Sequence, residues 1–412
     1  MTSTGTELPR GWRWVRLREV LAALETGSRP GGGVVGITDG VPSVSAEQMT
    51  ENGGFDFSST RYVPREFYED MADGRVRPDD ILIVKDGATT GKVSFVDEAF
   101  AHGEAVINEH VFLCRADKRS VVPRYLFLWL WAEEGQRAIR ANYRGAAIGG
   151  INRRFADTVS VPLPPLPEQK RIVAILNEQL SQVERARAAA EARLATAKAL
   201  PAAYLRDVFE SEDAKAWPEH ALAEVSSLVI DGPHVTPEYV AAGVPFLTVR
   251  NIVNRSIDLS DASYISPEDH AVFQRRVRPQ RGDILYTKDG TLGVPCLVDS
   301  SLDFSFFVSV ALIRLRPEYA DPRFVTLALD SDDLRQQVTH LADGAGLKHM
   351  VLKSIRALKV RLPSLHTQRA IAAQLAKRIA AAERLSQAAR HAVTAVETLP
   401  SSLLRCAFRG EL

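Results

Sequence analysis

Two stretches of this chain, RPDDILIVKDGATTGKV at 77–93 and PQRGDILYTKDGTLGVP at 279–295, are versions of one another. Asp80, Ile81, Leu82, Lys85, Asp86 and Gly87 fall on Asp283, Ile284, Leu285, Lys288, Asp289 and Gly290 at a single offset. The openings repeat as well, with Trp12, Leu17, Glu19 and Val20 answered by Trp217, Leu222, Glu224 and Val225. The closing segments repeat without a gap: Leu163, Pro164, Leu166, Gln169, Leu200, Pro201, Arg206 and Phe209 return as Leu362, Pro363, Leu365, Gln368, Leu399, Pro400, Arg405 and Phe408. A chain written twice folds as two like units, and this excludes most single-core architectures.

The closing segments carry helical periodicity. In the first, Ile172, Leu176, Leu180, Val183, Ala186, Ala190, Leu194 and Ala197 recur at threes and fours. Ile371, Leu375, Ile379, Ala382, Leu385, Ala389, Val393 and Val396 repeat the stripe in the second. Such spacing gives one apolar face. Pro167 suits a first helical turn, and Pro201 is expected to mark a break. At 1.5 Å per residue each helix is roughly 45 to 50 Å long, and the partner nearest to hand is the other copy in an antiparallel coiled pair. Ahead of each helix, short β-branched runs such as DILIV, HVFLC and ALIRL mix with helical segments such as RYLFLWLWAEEGQRAIR, which reads as α+β.

Several functional classes are excluded by what the residues lack. VKDGATTGKV resembles a phosphate-binding loop, but Gly87 to Gly91 is one residue too short and Val93 stands where a magnesium-binding hydroxyl is needed. In the second copy no lysine follows the second glycine, so the shared feature is a turn. No Asp/Asn-Pro-Pro-aromatic motif of an adenine methyltransferase is present, and Asp80 has no D/E-x-K downstream at a nuclease's spacing. Cys114, Cys296 and Cys406 form no C-x-x-C pair and read as small hydrophobes, and the nine histidines show no metal-ligand spacing. No apolar run has the length of a membrane span, and the first residues lack the apolar core of a secretory signal, so a cytoplasmic protein is expected. A net charge of zero is compatible with a basic face balanced elsewhere.

The order globular half, long helix, globular half, long helix resembles the specificity subunit of Type I restriction-modification systems over essentially the whole chain. The residues that carry the likeness are LPRGWRWVRLREV, the KDG turn, the helix start PLPPLPEQKRIVAIL and the ending LLRCAFRGEL. The second helix start departs from the pattern, with His366 and Thr367 where the first has Pro167 and Glu168. The resemblance implies two tandem α/β target-recognition domains separated by two long antiparallel coiled-coil helices, with an internal pseudo-two-fold repeat. The expected divisions are 1–162 and 211–361 for the recognition domains, and 163–210 and 362–412 for the helices. It further implies a non-catalytic subunit that reads a bipartite, asymmetric site on double-stranded DNA. Two methyltransferase subunits and two translocase/endonuclease subunits would carry the chemistry, with S-adenosylmethionine, ATP and Mg on those partners and no cofactor here. A coiled-coil scaffold whose globular halves bind protein stands as the alternative.

Specific DNA contacts are expected from polar side chains on loops. In the first half, NYRGAAIGGINRRF offers Arg144, Asn152, Arg153 and Arg154, answered in the second by DGAGLKHMVLK with Lys348, His349 and Lys353. The Gly/Pro turns add Arg29 and His234, and VRNIVNRS adds Arg250, Asn251, Asn254 and Arg255. Lys85 and Lys288 occupy one position of a shared turn. A structural role is the stronger reading for them, because recognition domains should differ where they read bases, and a common phosphate contact is the other reading. Gly87 and Gly290 are expected at positive φ.

Overall fold

The computed structural model describes residues 8–34, 36–145, 149–253, 255–341 and 349–412. Asn254 and Lys348 lie outside them. The chain divides into two units, Met1–Ala190 with Ala392–Leu412, and Glu191–His391, so each long helix contributes a stretch to both.

In the first unit the apolar runs pair into a four-stranded antiparallel sheet in the order Leu21–Thr26, Val111–Ala116, Ile81–Val84, Val93–Phe95. Every residue of ILIV is buried because both faces of this sheet are covered. Ile81, Ile83, Phe112 and Cys114 face the helix Pro123–Trp131, together with Ile172 and Leu176 of the central helix and Leu404, Ala407 and Phe408 near the chain's end. Leu82, Val84, Val111 and Leu113 face Val44, Met49 and Ile107. A smaller sheet runs Arg61–Val63, Val41–Val44, Val106–Ile107, its last pair parallel. Arg13–Arg16 pairs with Ser160–Leu163 just before the central helix.

The second unit repeats this plan strand for strand. Its main sheet runs Ser226–Asp231, Val310–Leu315, Ile284–Thr287, Pro295–Leu297, and even the register shift at the start of the first strand recurs, between Ser226 and Leu228 as between Leu21 and Ala23. Ile284, Tyr286, Ala311 and Ile313 pack on Phe324 and on Leu205, Phe209 and Leu375 of the long helices. Added to the plan are the edge strand Tyr239–Val240 on the smaller sheet and a short hairpin, Ile252–Val253 with Ser256–Ile257.

Gln169 and Gln368 show why the helix starts repeat. Both are buried; Gln169 accepts from the Val122 N–H at 2.7 Å and donates to the Ser120 and Pro164 carbonyls. Gln368 accepts from the Asp321 N–H at 2.8 Å and donates to Tyr319 and Pro363. A buried amide with both donors and its oxygen engaged fixes where each helix leaves its domain.

The helices differ from expectation in two respects. Pro201 does not break the central helix, which runs from Leu166 to Phe209, about 66 Å at 1.5 Å per residue; in the second copy a break does fall at Thr398, beside Pro400, between Leu365–Glu397 and Leu399–Phe408. The packing stripe also follows alternating steps of four and three, through Leu375, Ile379, Ala382, half-buried Ser386 and Ala389. This is the 3.5-residue repeat of a coiled pair. Leu385, one position off the stripe, is 53% exposed and is not a packing residue, and its counterpart Ala186 is exposed too. Ile172, Leu176, Val183, Leu375 and Ile379 are buried, and Leu180 and Ile371 are half-buried against their cores. In the second unit the pair is antiparallel, with the Arg378 guanidinium over the Tyr204 ring at 4.0 Å and 3.4 Å from Asp207. Leu375→Ala should therefore cost about 2–5 kcal/mol in denaturant unfolding, and Leu385→Ala less than about 0.5 kcal/mol.

Candidate nucleic-acid interface

In both units the KDG turn is locked to the polar loop that precedes the last strand. Ile151 donates its N–H to the Lys85 carbonyl at 2.8 Å, and Met350 does the same to Lys288 at 2.8 Å. Asp86 bridges Gly150, and Asp289 bridges His349. A Cβ on Gly150 would lie 2.7 Å from the Lys85 carbonyl oxygen, so glycine is what permits the approach. Gly87 and Gly290 have φ of +92° and +72°, as the turn requires. Two sets of candidates that are distant in sequence thus share one edge of each unit. Lys92, the residue that suggested a phosphate loop, donates to the Ala46 and Met49 carbonyls and holds the neighbouring segment in place.

The two edges are built differently at equivalent positions. In the second unit Lys288 is buried, its ammonium 3.2 Å from Asp289 and 4.0 Å from Asp231, and Asp231 is also held by Arg276 at 2.7 Å. Thr26 stands in the place of Asp231 in the first unit and accepts from Arg153 Nε at 3.1 Å. Lys85 there donates to the Glu109 carbonyl and lies 3.5 Å from Asp86, which also bonds His110 Nδ1 at 2.6 Å. Both lysines are committed to the protein, and Lys288 is withdrawn from the interface because burial and two carboxylates leave it no free donor face.

Arg144, Asn152, Arg153 and Arg154 are all exposed on one loop. The Asn152 side chain accepts from the Arg154 N–H at 3.0 Å, which shapes the turn that presents Arg154. Arg29 lines a cleft of about 390 Å3 with Arg61, Asp86 and His110; it lies 3.5 Å from Glu109, and Arg61 3.2 Å from Glu47. Arg61 and His110 escaped sequence reasoning because neither belongs to a repeated or glycine-rich stretch. In the second unit His234, Arg250 and His349 are exposed, His234 3.4 Å from Asp231 and Arg250 3.9 Å from Asp261. Asn251 is a correction: it is buried, its amide accepting from Thr248 and donating to the Asp258 carbonyl, so it builds its loop from within. Arg255, at φ +62°, reaches inward to Asp330.

Such an edge can donate hydrogen bonds and neutralise anions. Among the described residues no group of three or more His, Cys, Asp or Glu is placed to hold a metal ion. The thiols of Cys114 and Cys296 are buried, and burial pushes that of Cys296 up to about 12. No helix among the described residues is long and apolar enough to cross a membrane.

Residues 9–190 match the family described as the Type I restriction modification DNA specificity domain. The likeness extends over both units: the specificity subunit of the type I restriction enzyme EcoKI from Escherichia coli K12 is 23% identical over 390 residues, 91% of this chain and 83% of the relative. Residues 9–190 carry the specificity domain of the type I family, and the chain as a whole is similar to specificity subunits of that family. A more distant relative within it, the MjaVIII specificity subunit of Methanocaldococcus jannaschii, is 21% identical over 90% of this chain and 87% of its own length. The fold is shared with solved structures. One chain, from work on complex assembly and conformational transition of the type I R-M system, superposes with a TM-score of 0.76 at 20% identity, covering 98% of this chain and all of its own. The HsdS subunit from Thermoanaerobacter tengcongensis gives 0.63 at 20% identity, with 98% of each chain covered.

Proposed function

We propose that this chain is the DNA-recognition subunit of a type I restriction-modification complex, reading a bipartite, asymmetric site and directing adenine methylation and ATP-dependent restriction by its partners. The observation that carries the reading is the pair of equivalent edges, alike in backbone and unlike in side chains. A shared frame holds each KDG turn and its loop, while Thr26 or Asp231, Arg153 or Arg276, and the exposed groups around them differ. Unlike donors on a repeated frame suit two unlike half-sites. Residues 1–162 and 211–361 are assigned the reading of one half-site each, and the long helices the spacing between them. Two methyltransferase subunits holding S-adenosylmethionine, and two translocase/endonuclease subunits holding ATP and Mg, complete the assembly. Deleting the chain from its host should abolish one bipartite adenine-methylation motif in the methylome, and a methylome with every such motif intact would refute the proposal.

A further inference from the structure

The repeated frame carries opposite charge on the two copies of one surface, the junction where a long helix ends and the first strand of a unit begins. In the first unit this junction is formed by 409–412 and 9–19, with Gly410 against Pro9. It bears Arg409, Arg10, Arg13, Arg16 and Arg18, all exposed, against Glu411 and Glu19. Phe209 and Trp217, the counterparts of Phe408 and Trp12, bracket the same junction in the second unit. There Glu210, Glu212, Asp213, Glu219 and Glu224 are exposed against Lys215 on the same segment and Lys359 and Arg361 on the paired strand, Arg361 lying 3.5 Å from Glu219. Both junctions share the same strand pairing, Arg13–Arg16 on Ser160–Leu163 and Glu219–Ala221 on Lys359–Arg361, and that pairing does not demand the reversal of charge.

The basic junction is continuous with the candidate DNA edge. Arg18 donates to the Arg153 carbonyl at 3.2 Å and pairs with Asp157 at 3.1 Å, and Arg16 donates to the Thr158 carbonyl and Ser160 hydroxyl. These bonds lay the arginines along the segment that leads from Arg153 and Arg154 to the central helix. Three residues of strand place Arg13 about 10 Å beyond Arg16, and the side chains of Arg10, Arg13 and Arg409 have no hydrogen-bond or ion-pair partner among the described residues. Duplex DNA, with one charge per about 1.7 Å of axis, is the polyanion that such a strip fits. The acidic junction would repel it.

We infer that the first junction is a phosphate-binding surface which the second unit lacks, so that DNA contact extends further over the half-site read by the first unit. The inference rests on the DNA-reading function proposed above. The experiment uses the chain bound to its methyltransferase partner and a duplex bearing its methylation motif, with affinity measured across a salt series. R10Q/R13Q/R409Q should lower the slope of log K against log salt by about 2–3, at roughly 0.9 per phosphate contact, with the methylated motif unchanged. E210Q/E212Q/E219Q should leave the slope as it was. An unaltered slope in the arginine variant, equal shifts in both variants, or loss of the methyltransferase with no change in slope would each overturn the inference. A wild-type complex with no preference for the motif duplex would overturn the proposed function instead.

Discussion

Asp283→Ala should melt the second unit well before the first. Asp283 is 2% exposed and accepts both bonds of the Arg314 fork at 2.7 Å, as well as the Gln280 N–H at 2.7 Å. That pairing holds Arg314 above its usual range, chiefly through the Asp283 hydrogen bond. Removing the carboxylate leaves the guanidinium with the Arg278 carbonyl and no ion-pair partner among the described residues. Stranding one partner of a buried pair costs about 3–5 kcal/mol, against a domain stability of about 5–15 kcal/mol, which corresponds to a fall of about 10 °C in the midpoint. The equivalent Asp80→Ala should cost less. Burial pushes the Asp80 carboxyl up although Arg115 grips it, and Arg115 keeps a second carboxylate, Glu25, at 3.0 Å. Calorimetry of the two variants checks the order; equal losses would show that Glu25 does not compensate.

The same comparison shows what could be read from the residues alone. Asp80 and Asp283, or Gln169 and Gln368, are visible as repeats because each performs one backbone-fixing task in both copies, and such tasks tolerate no other side chain. The partners of those residues are less visible. Arg115 and Arg314 also occupy corresponding places, but what they grip depends on strand pairing across thirty residues, which no local pattern encodes. Leu385 was misplaced because a helical stripe read at steps of three and four can drift by one position, and only the partner helix decides which position faces it. Pro201 misled for a related reason: proline costs a helix one bond, about 3 kcal/mol, and the packing of Leu205 and Phe209 beyond it offsets that cost. At the candidate interface the repeat located the turn and the loop but not their conjunction. Asn251 looked available as a polar residue in a loop, while the Asp258 carbonyl that occupies it lies across a small hairpin; the structural role read for Lys288 depends on Asp231, which lies far off in sequence.

The second large effect concerns the reading itself. If each unit reads one half-site, exchanging residues 1–160 for those of another family member should rewrite one half of the methylation motif entirely. The frame allows the exchange because the strands that end each domain and the buried glutamine that starts each helix keep the same roles in both copies. The gap should not change, since the long helices stay as they are. Methylome sequencing of cells carrying the exchanged chain is the most direct measurement. One altered half, with the other half and the gap intact, is the predicted result; a motif changed in both halves, or in neither, would contradict two independent readers on one repeated frame.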